Sequence, residues 1–171
     1  MDPLSAYIIP IQGLKTGLHE YHYTLDYEFF SHFEGSLIRE GVVEAQVSVD
    51  KRPSLIIIAF RVSGYTQTTC DRCMAPIQLP LNEETRQIII KFGEAEEMED
   101  DDEVVFLSRE ASEFQLASYL YEFTLLALPL TNVYDCESEN PPPCNQEVLN
   151  ILKASSQRPA NPIWEALNKL Q

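Results

Sequence analysis

One stretch of alternating residues constrains the fold of this chain more than any other. Gly41–Asp50 reads GVVEAQVSVD, in which apolar residues from Val43 to Val49 alternate with polar ones. Because successive side chains of a strand point to opposite faces, this pattern predicts a strand with one buried and one exposed face, which is typical of antiparallel sheets. The following segment, Leu55–Tyr65, is longer and more apolar, and it predicts a more deeply buried strand.

The remaining pattern combines strands and helices. Ile77–Phe92 and Glu103–Leu107 predict further strands. Apolar residues then recur at helical spacing from Phe114 to Leu128, and Ser112 fits the N-cap position of one long helix. We therefore predict an α+β fold, in which an antiparallel β-meander or partly closed sheet is packed by one long helix and followed by short C-terminal helices.

The chain length and charge distribution predict one main domain with an appended C-terminal segment. The 171 residues carry a formal net charge of −15. We expect residues 1–130 to form a single domain, and residues 131–171 to form a cysteine-containing loop with short helices packed on it. Eight of the ten residues from Glu94 to Glu103 are acidic, so a mobile, solvated loop is expected over residues 93–102.

Two surfaces are candidates for partner binding. A strongly negative protein repels nucleic acid and anionic membranes but attracts basic partners. The candidate contacts for a basic partner are Glu96, Glu97, Glu99, Asp100, Asp101, Asp102 and, on an apolar stripe of the predicted terminal helix, Trp164. Residues 34–91 contain seven acidic and seven basic residues, so this part could still carry a local basic patch. Its candidate phosphate contacts for direct RNA binding are Arg52, Arg61, Arg72 and Arg86.

The cysteines predict a structural metal site. The four cysteines of the chain form two pairs, Cys70 with Cys73 and Cys136 with Cys144. Four thiolates suit a closed tetrahedral zinc site, although a spacing of seven residues in the second pair is less specific than a second C-x-x-C. A redox pair requires a helix directly after the motif, and Pro76 and Pro80 argue against one. Unligated thiols are the third alternative.

Several classes of protein are not indicated by the sequence. There is no phosphate-binding loop, dinucleotide fingerprint, nucleophile elbow or metalloprotease motif, so we do not expect an enzyme. The N-terminal residues do not resemble a signal peptide, and the longest apolar run, Leu55–Phe60, is too short to span a bilayer. We therefore expect a cytoplasmic protein with reduced thiols.

Several short motifs, taken in order, resemble one known family. They are Gly64 through Cys70-Asp71-Arg72-Cys73 with a following proline, the segment YEFTLLALP at Tyr121–Pro129, the late Cys144, and NPIWEALNKL at Asn161–Leu170. This order is similar to that of the YceD-like proteins, known as large ribosomal RNA subunit accumulation proteins and long catalogued as a domain of unknown function. Ile163 departs from the family pattern, which has arginine there, and this weakens an RNA-contact role for the tail.

The resemblance implies a non-enzymatic part in accumulation of large-subunit ribosomal RNA, and hence in ribosome assembly. Together with the net charge of −15, it favours a basic ribosomal protein or a pre-ribosomal particle as the partner. Direct contact with ribosomal RNA is the alternative, and a thiol redox protein is the least favoured one. Neither a membrane nor a small-molecule substrate is implied.

Overall fold

The computed structural model of the protein describes residues 3–93, 103–133 and 139–156. The predicted acidic contacts Glu96–Asp102, the cysteine Cys136 and the predicted terminal helix with Trp164 lie outside these residues. The strands are β1 (Ile8–Ile9), β2 (Gly17–Leu25), β3 (Glu40–Lys51), β4 (Leu55–Thr69), β5 (Pro76–Pro80), β6 (Glu84–Phe92), β7 (Val104–Leu107) and β8 (Phe114–Gln115). The described α-helices are α1 (Tyr27–Ser31), α2 (Ala117–Leu126) and α3 (Gln146–Ser156), and Pro3–Tyr7 form a 3-10 helix before β1.

The main sheet has the strand order β2-β3-β4-β6-β7, and β5 also pairs with β4. The pairs β2–β3, β3–β4 and β4–β6 are antiparallel, so the α+β class and the antiparallel meander are confirmed for this part. The predicted strand β7 is present and is the exception to the antiparallel pattern, because it runs parallel to β6. A partly closed sheet is not confirmed, because β2 and β7 lie at the two ends of the strand order within the described residues.

The core lies on one face of this sheet. In β3, Val43, Ala45, Val47 and Val49 are buried, as their alternation predicts. The inner faces of β4 and β6 add further buried residues, among them Phe60, and short β1 pairs with β8 beside them. Asp26 caps α1, because its carboxylate accepts the N–H groups of Glu28 and Phe29 at 3.0 and 3.4 Å. Such a cap stabilises a helix by about 1 kcal/mol.

The long helix predicted from Ser112 to Leu128 is shorter than expected. Phe114 and Gln115 instead form β8, so Ser112 is not the N-cap. The side-chain oxygen of Gln115 accepts the N–H of Ala117 at 3.2 Å and satisfies one free donor at the start of α2. The ten-residue helix still packs on the core face of the sheet, with the Phe123 ring 5.1 Å from that of Phe60.

The chain divides into two compact units. Unit 1 comprises residues 1–68 and 78–130 and contains the core described above. Unit 2 comprises residues 69–77 and 131–171 and contains all four cysteines. The prediction of a single domain over residues 1–130 with residues 131–171 packed on it stays a prediction. No described helix combines the length and apolar character needed to cross a membrane.

Candidate functional site

The first cysteine pair of unit 2 lies in a tight turn, which we call the cysteine turn (residues 70–75). The Cys70 carbonyl accepts the N–H of Met74 at 2.9 Å, and the Cys70 N–H donates to the carbonyl of Ala75 at 2.8 Å. Met74 has a φ of 59°, an uncommon value for a residue with a side chain. Such a left-handed residue turns successive N–H groups towards one side, where they can bind an anion. The turn therefore suits a thiolate.

The thiols of the described cysteines meet at Cys73. Cys70 and Cys73 are buried, and Cys144 is half-buried. The pKa of the Cys73 thiol is lowered, first by the backbone N–H of Asn145 and then by that of Ala75, and hydrogen bonds with the thiols of Cys70 and Cys144 lower it further. Burial acts in the opposite direction but is outweighed. The structure therefore brings three of the four predicted metal ligands together, while Cys136 lies outside the described residues.

Asp71 connects the cysteine turn to residues near the second cysteine pair within unit 2. Its carboxylate accepts the N–H of Asn132 at 2.7 Å and the side-chain amide of the same residue at 3.5 Å. In return, the Asp71 N–H donates to the carbonyl of Asn132 at 3.1 Å. Sequence reasoning missed this role, since a single aspartate inside C-x-x-C carries no signal for a partner 61 positions away.

A metal ion in unit 2 would be bound by the cysteine thiols. The described residues contain no group of three or more His, Cys, Asp or Glu side chains arranged to hold a metal ion. The thiols of Cys70 and Cys144 hydrogen-bond to that of Cys73, whose pKa is lowered, and sulfur donors favour zinc over harder cations. The described thiols alone do not form a metal site, and zinc binding by the four cysteines stays a prediction.

A thioredoxin-like site fits this geometry poorly. That site places its first cysteine at the N-terminus of a helix, whose dipole stabilises the thiolate. Here the cysteine turn leads directly into β5, which begins at Pro76. The absence of a helix after the motif agrees with the expectation drawn from Pro76 and Pro80.

The four arginines proposed as phosphate contacts are all exposed. Three of them pair with carboxylates: Arg52 with Asp50 at 2.8 Å, Arg61 with Glu83 at 3.1 Å, and Arg86 with Glu84. Arg52 lies in the β3–β4 turn, where its N–H donates to the carbonyl of Leu55 at 2.9 Å, and Arg61 is six positions beyond Leu55 in β4, a separation of about 20 Å. Arg72 is exposed in unit 2 and forms no ion pair with any residue that the structure describes.

Comparison of the sequence with known protein families gives one match. The family described as Large ribosomal RNA subunit accumulation protein YceD matches residues 58–171. The chain belongs to the YceD family. No curated protein and no solved structure matches the chain.

The matched region of the YceD family contains the complete candidate site. It begins in β4 and includes Asp71, Asn132 and all four cysteines, whereas β1, β2 and β3 precede it. The family description concerns accumulation of the large ribosomal subunit RNA and names no enzymatic reaction. The match therefore confirms the resemblance found in the motifs and assigns the chain to ribosomal RNA accumulation.

Proposed function

We propose that this protein supports accumulation of large-subunit ribosomal RNA in the cytoplasm without catalysis, by binding a basic ribosomal protein. The observation that carries this proposal is the pairing of Arg52, Arg61 and Arg86 with carboxylates. With these charges compensated, the sheet surface attracts phosphate only weakly. The net charge of −15 instead favours a cationic partner.

For the attraction of RNA, the strength of these arginine–carboxylate pairs matters less than their net charge. Exposed ion pairs contribute about 0–1 kcal/mol each, so RNA could compete for these arginines at small cost. However, each neighbouring carboxylate would remain beside the phosphate and repel it. Beyond about 10 Å, an arginine–carboxylate pair has almost no net electric field at physiological salt. Long-range attraction of RNA to this surface is therefore small, whereas the acidic run from Glu94 to Glu103 attracts basic proteins from a distance.

The experiment compares two variants of the purified, tagged protein. In one, the eight acidic residues from Glu94 to Glu103 are replaced by their amides, and in the other Arg61 and Arg86 are both replaced by glutamine. Each bait is incubated with separated large-subunit proteins and with large-subunit RNA fragments at moderate salt. We expect wild type and the arginine variant to retain a ribosomal protein and the amide variant to lose it.

Two results would contradict the proposal. Retention of no ribosomal protein by the wild type would exclude a basic protein partner under these conditions. Binding of RNA fragments that falls steeply with salt and is lost in the arginine variant would establish direct RNA binding instead.

We propose in addition that Cys70, Cys73 and Cys144 bind a structural zinc ion, with Cys136 as the fourth ligand. The support is the convergence of three thiols on Cys73, the lowered pKa of that thiol and the N–H groups directed at its sulfur. Zinc would supply cross-linking of the cysteine turn to the later cysteine pair within unit 2, which is the usual contribution of a closed four-thiolate site.

Elemental analysis of protein purified without chelator tests the zinc proposal. We expect about one zinc per chain, and its loss in the double variant Cys70→Ser/Cys73→Ser. The variant Arg72→Ala, which changes the same turn but no thiol, is the control and should keep the metal. A zinc content far below one per chain in wild type would refute the proposal and leave unligated thiols or the less favoured redox pair.

A further inference from the structure

Among the strands that the structure describes, β2 is an open edge of the main sheet. It is the terminal strand in their order and pairs there with β3 alone. All nine residues from Gly17 to Leu25 are in uninterrupted register with β3, so there is no bulge. Within the described part of the chain, the backbone of β2 forms no hydrogen bond with any other segment. Every second N–H and C=O group of β2 therefore faces outward, available to another strand.

Within the described residues, this edge has little of the usual protection against strand addition. Natural edge strands are generally short, or carry charged residues, proline or a bulge. The nine-residue β2, GLHEYHYTL, has neither proline nor a bulge, and its one charged side chain is the carboxylate of Glu20. Large apolar side chains are exposed at both ends of the strand: Leu18 is 65% exposed, and Tyr27, two residues after β2, is 67% exposed. Such an edge is suited to pairing with an extended segment.

The charges near the edge favour a basic segment. Exposed carboxylates lie along and beyond β2, at Glu20, Glu28 and Asp26, and Glu44 of β3 lies directly opposite Thr24. Burial raises the pKa of Tyr7, and the carboxylates of Asp26 and Glu28 raise it further, so the potential near this end of the strand is negative. The two lysines near the other end are Lys15 and Lys51, and the ammonium group of Lys51 is bonded to the carbonyls of Ile11 and Leu14.

The side chains on the two faces of β2 determine which sequence pattern a strand added beside it should have. On the inner face, the rings of Tyr21 and Tyr23 lie parallel with centroids 6.5 Å apart, and both are half-buried. On the outer face, Glu20, His22 and Thr24 are exposed. A strand added beside β2 would place alternate side chains against the tyrosine rings and against Glu20. The favoured sequence therefore alternates apolar with basic residues.

We propose that β2 binds an extended segment of a partner protein, with alternating apolar and basic residues, by antiparallel strand addition. This inference deepens the proposed function and rests on it for the identity of the partner as a basic ribosomal protein. The outward backbone groups of β2 supply the hydrogen bonds, the tyrosine face receives the apolar side chains, and Glu20 receives a basic one.

The test uses the full chain and a synthetic peptide as long as β2, in which lysine alternates with valine. A control peptide has the same side chains and charge, but its alternate backbone amides are N-methylated, so it cannot form the ladder. We expect the first peptide to bind at least about tenfold more tightly, because several backbone hydrogen bonds of about 1 kcal/mol each are added. Amide hydrogen exchange followed by NMR should show new protection at every second residue of β2.

Matched protein variants locate the binding. Glu20→Lys replaces a favourable exposed pair with a peptide lysine by a repulsive one, so it should weaken the binding of the peptide about fivefold. Glu110→Lys changes the overall charge equally at an exposed position outside β2 and β3, and should change the affinity less than about twofold. Both positions are exposed, so each variant should fold, and circular dichroism checks this.

Three results would overturn the inference. Equal binding of the two peptides would show that attraction is purely electrostatic. Unchanged exchange of the β2 amides in the presence of bound peptide would place the peptide elsewhere. Protection of these amides in the free protein that disappears on dilution would assign the edge to a second copy of this chain. If the peptide binds β2 but no ribosomal protein is retained by wild type, the proposed function fails while the edge site stands.

Discussion

Replacement of Gly64 by alanine should destabilise the protein more than any other single methyl addition to a glycine. Gly64 lies in β4 with a φ of 143°, and a Cβ built there would be 2.3 Å from the carbonyl oxygen of Val42 on β3. Ordinary contacts begin at 3.4 Å, so the two strands would have to separate by about 1 Å. Gly41 is in a similar position, with its Cβ 2.5 Å from the Tyr65 carbonyl oxygen.

Two effects should lower the free energy of unfolding of the Gly64→Ala variant. An alanine at this φ is strained by about 1–3 kcal/mol. Forcing the strands apart adds about 2–3 kcal/mol, from overpacking and from weakened ladder hydrogen bonds of about 1 kcal/mol each. The control is Gly93→Ala, because Gly93 has a similar φ of 138° but no atom of the described residues within 4 Å of its Cβ. This control carries the strain without the clash.

Urea denaturation of wild type, Gly64→Ala and Gly93→Ala gives the comparison. We expect Gly64→Ala to lose about 3–6 kcal/mol and Gly93→Ala about 1–3 kcal/mol. Since small domains are stable by only about 5–15 kcal/mol, the first loss is large. Equal losses in the two variants would show that the close approach of β3 and β4 at Gly64 does not matter, and would refute the reasoning.

Three further changes have expected outcomes. Burial raises the pKa of Tyr23 to about 12, with smaller contributions from neighbouring tyrosines. The protonated Tyr23 side chain therefore stabilises the fold fully below pH about 10, which is the pKa of tyrosine in the unfolded chain, and this stabilisation is lost as the pH rises towards 12. Because phenylalanine does not titrate, Tyr23→Phe should raise the midpoint of alkaline unfolding monitored by circular dichroism. Asp71→Ala should lower stability by about 1–2 kcal/mol by leaving the N–H of Asn132 without its carboxylate, whereas Arg72→Ala should stay within about 0.5 kcal/mol in the same denaturation assay. Phe60→Ala should cost about 3–5 kcal/mol, and the fully exposed Leu130→Ala almost nothing, so similar midpoints would contradict the assigned core.

Strand content was predictable because its signal is local. The alternation in β3 and the apolar run of β4 each identify a strand without reference to a partner, and both are confirmed. The direction of β7 was not predictable in this way. Residues 93–103, which connect it to β6, are long enough for either a hairpin loop or a crossover to a parallel strand. The pairing choice depends on the whole sheet.

The errors at the helix and at the site have the same origin. Phe114 and Gln115 continue a helical pattern, yet they form β8 because Ile8 and Ile9 supply a partner strand from the opposite end of unit 1. Similarly, the proximity of Cys70 to Cys73 follows from their spacing, but the contact of Asp71 with Asn132 depends on how unit 2 folds. Local patterns could therefore identify the thiols, and could not identify the residue that connects them to the later segment.

The pairing of β1 with β8 has a consequence during synthesis. Ribosomes elongate chains at about 5–20 residues per second, so β1 is made roughly 5–20 s before its partner strand. During this interval Ile9 and Ile11, which are buried in the completed fold, have no β8 to cover them. The meander of β2, β3 and β4 can pair from neighbouring segments, whereas the N-terminal strand has to wait. Docking of β1 is therefore a late event in the synthesis of this protein, and until then the apolar N-terminal segment is open to premature association.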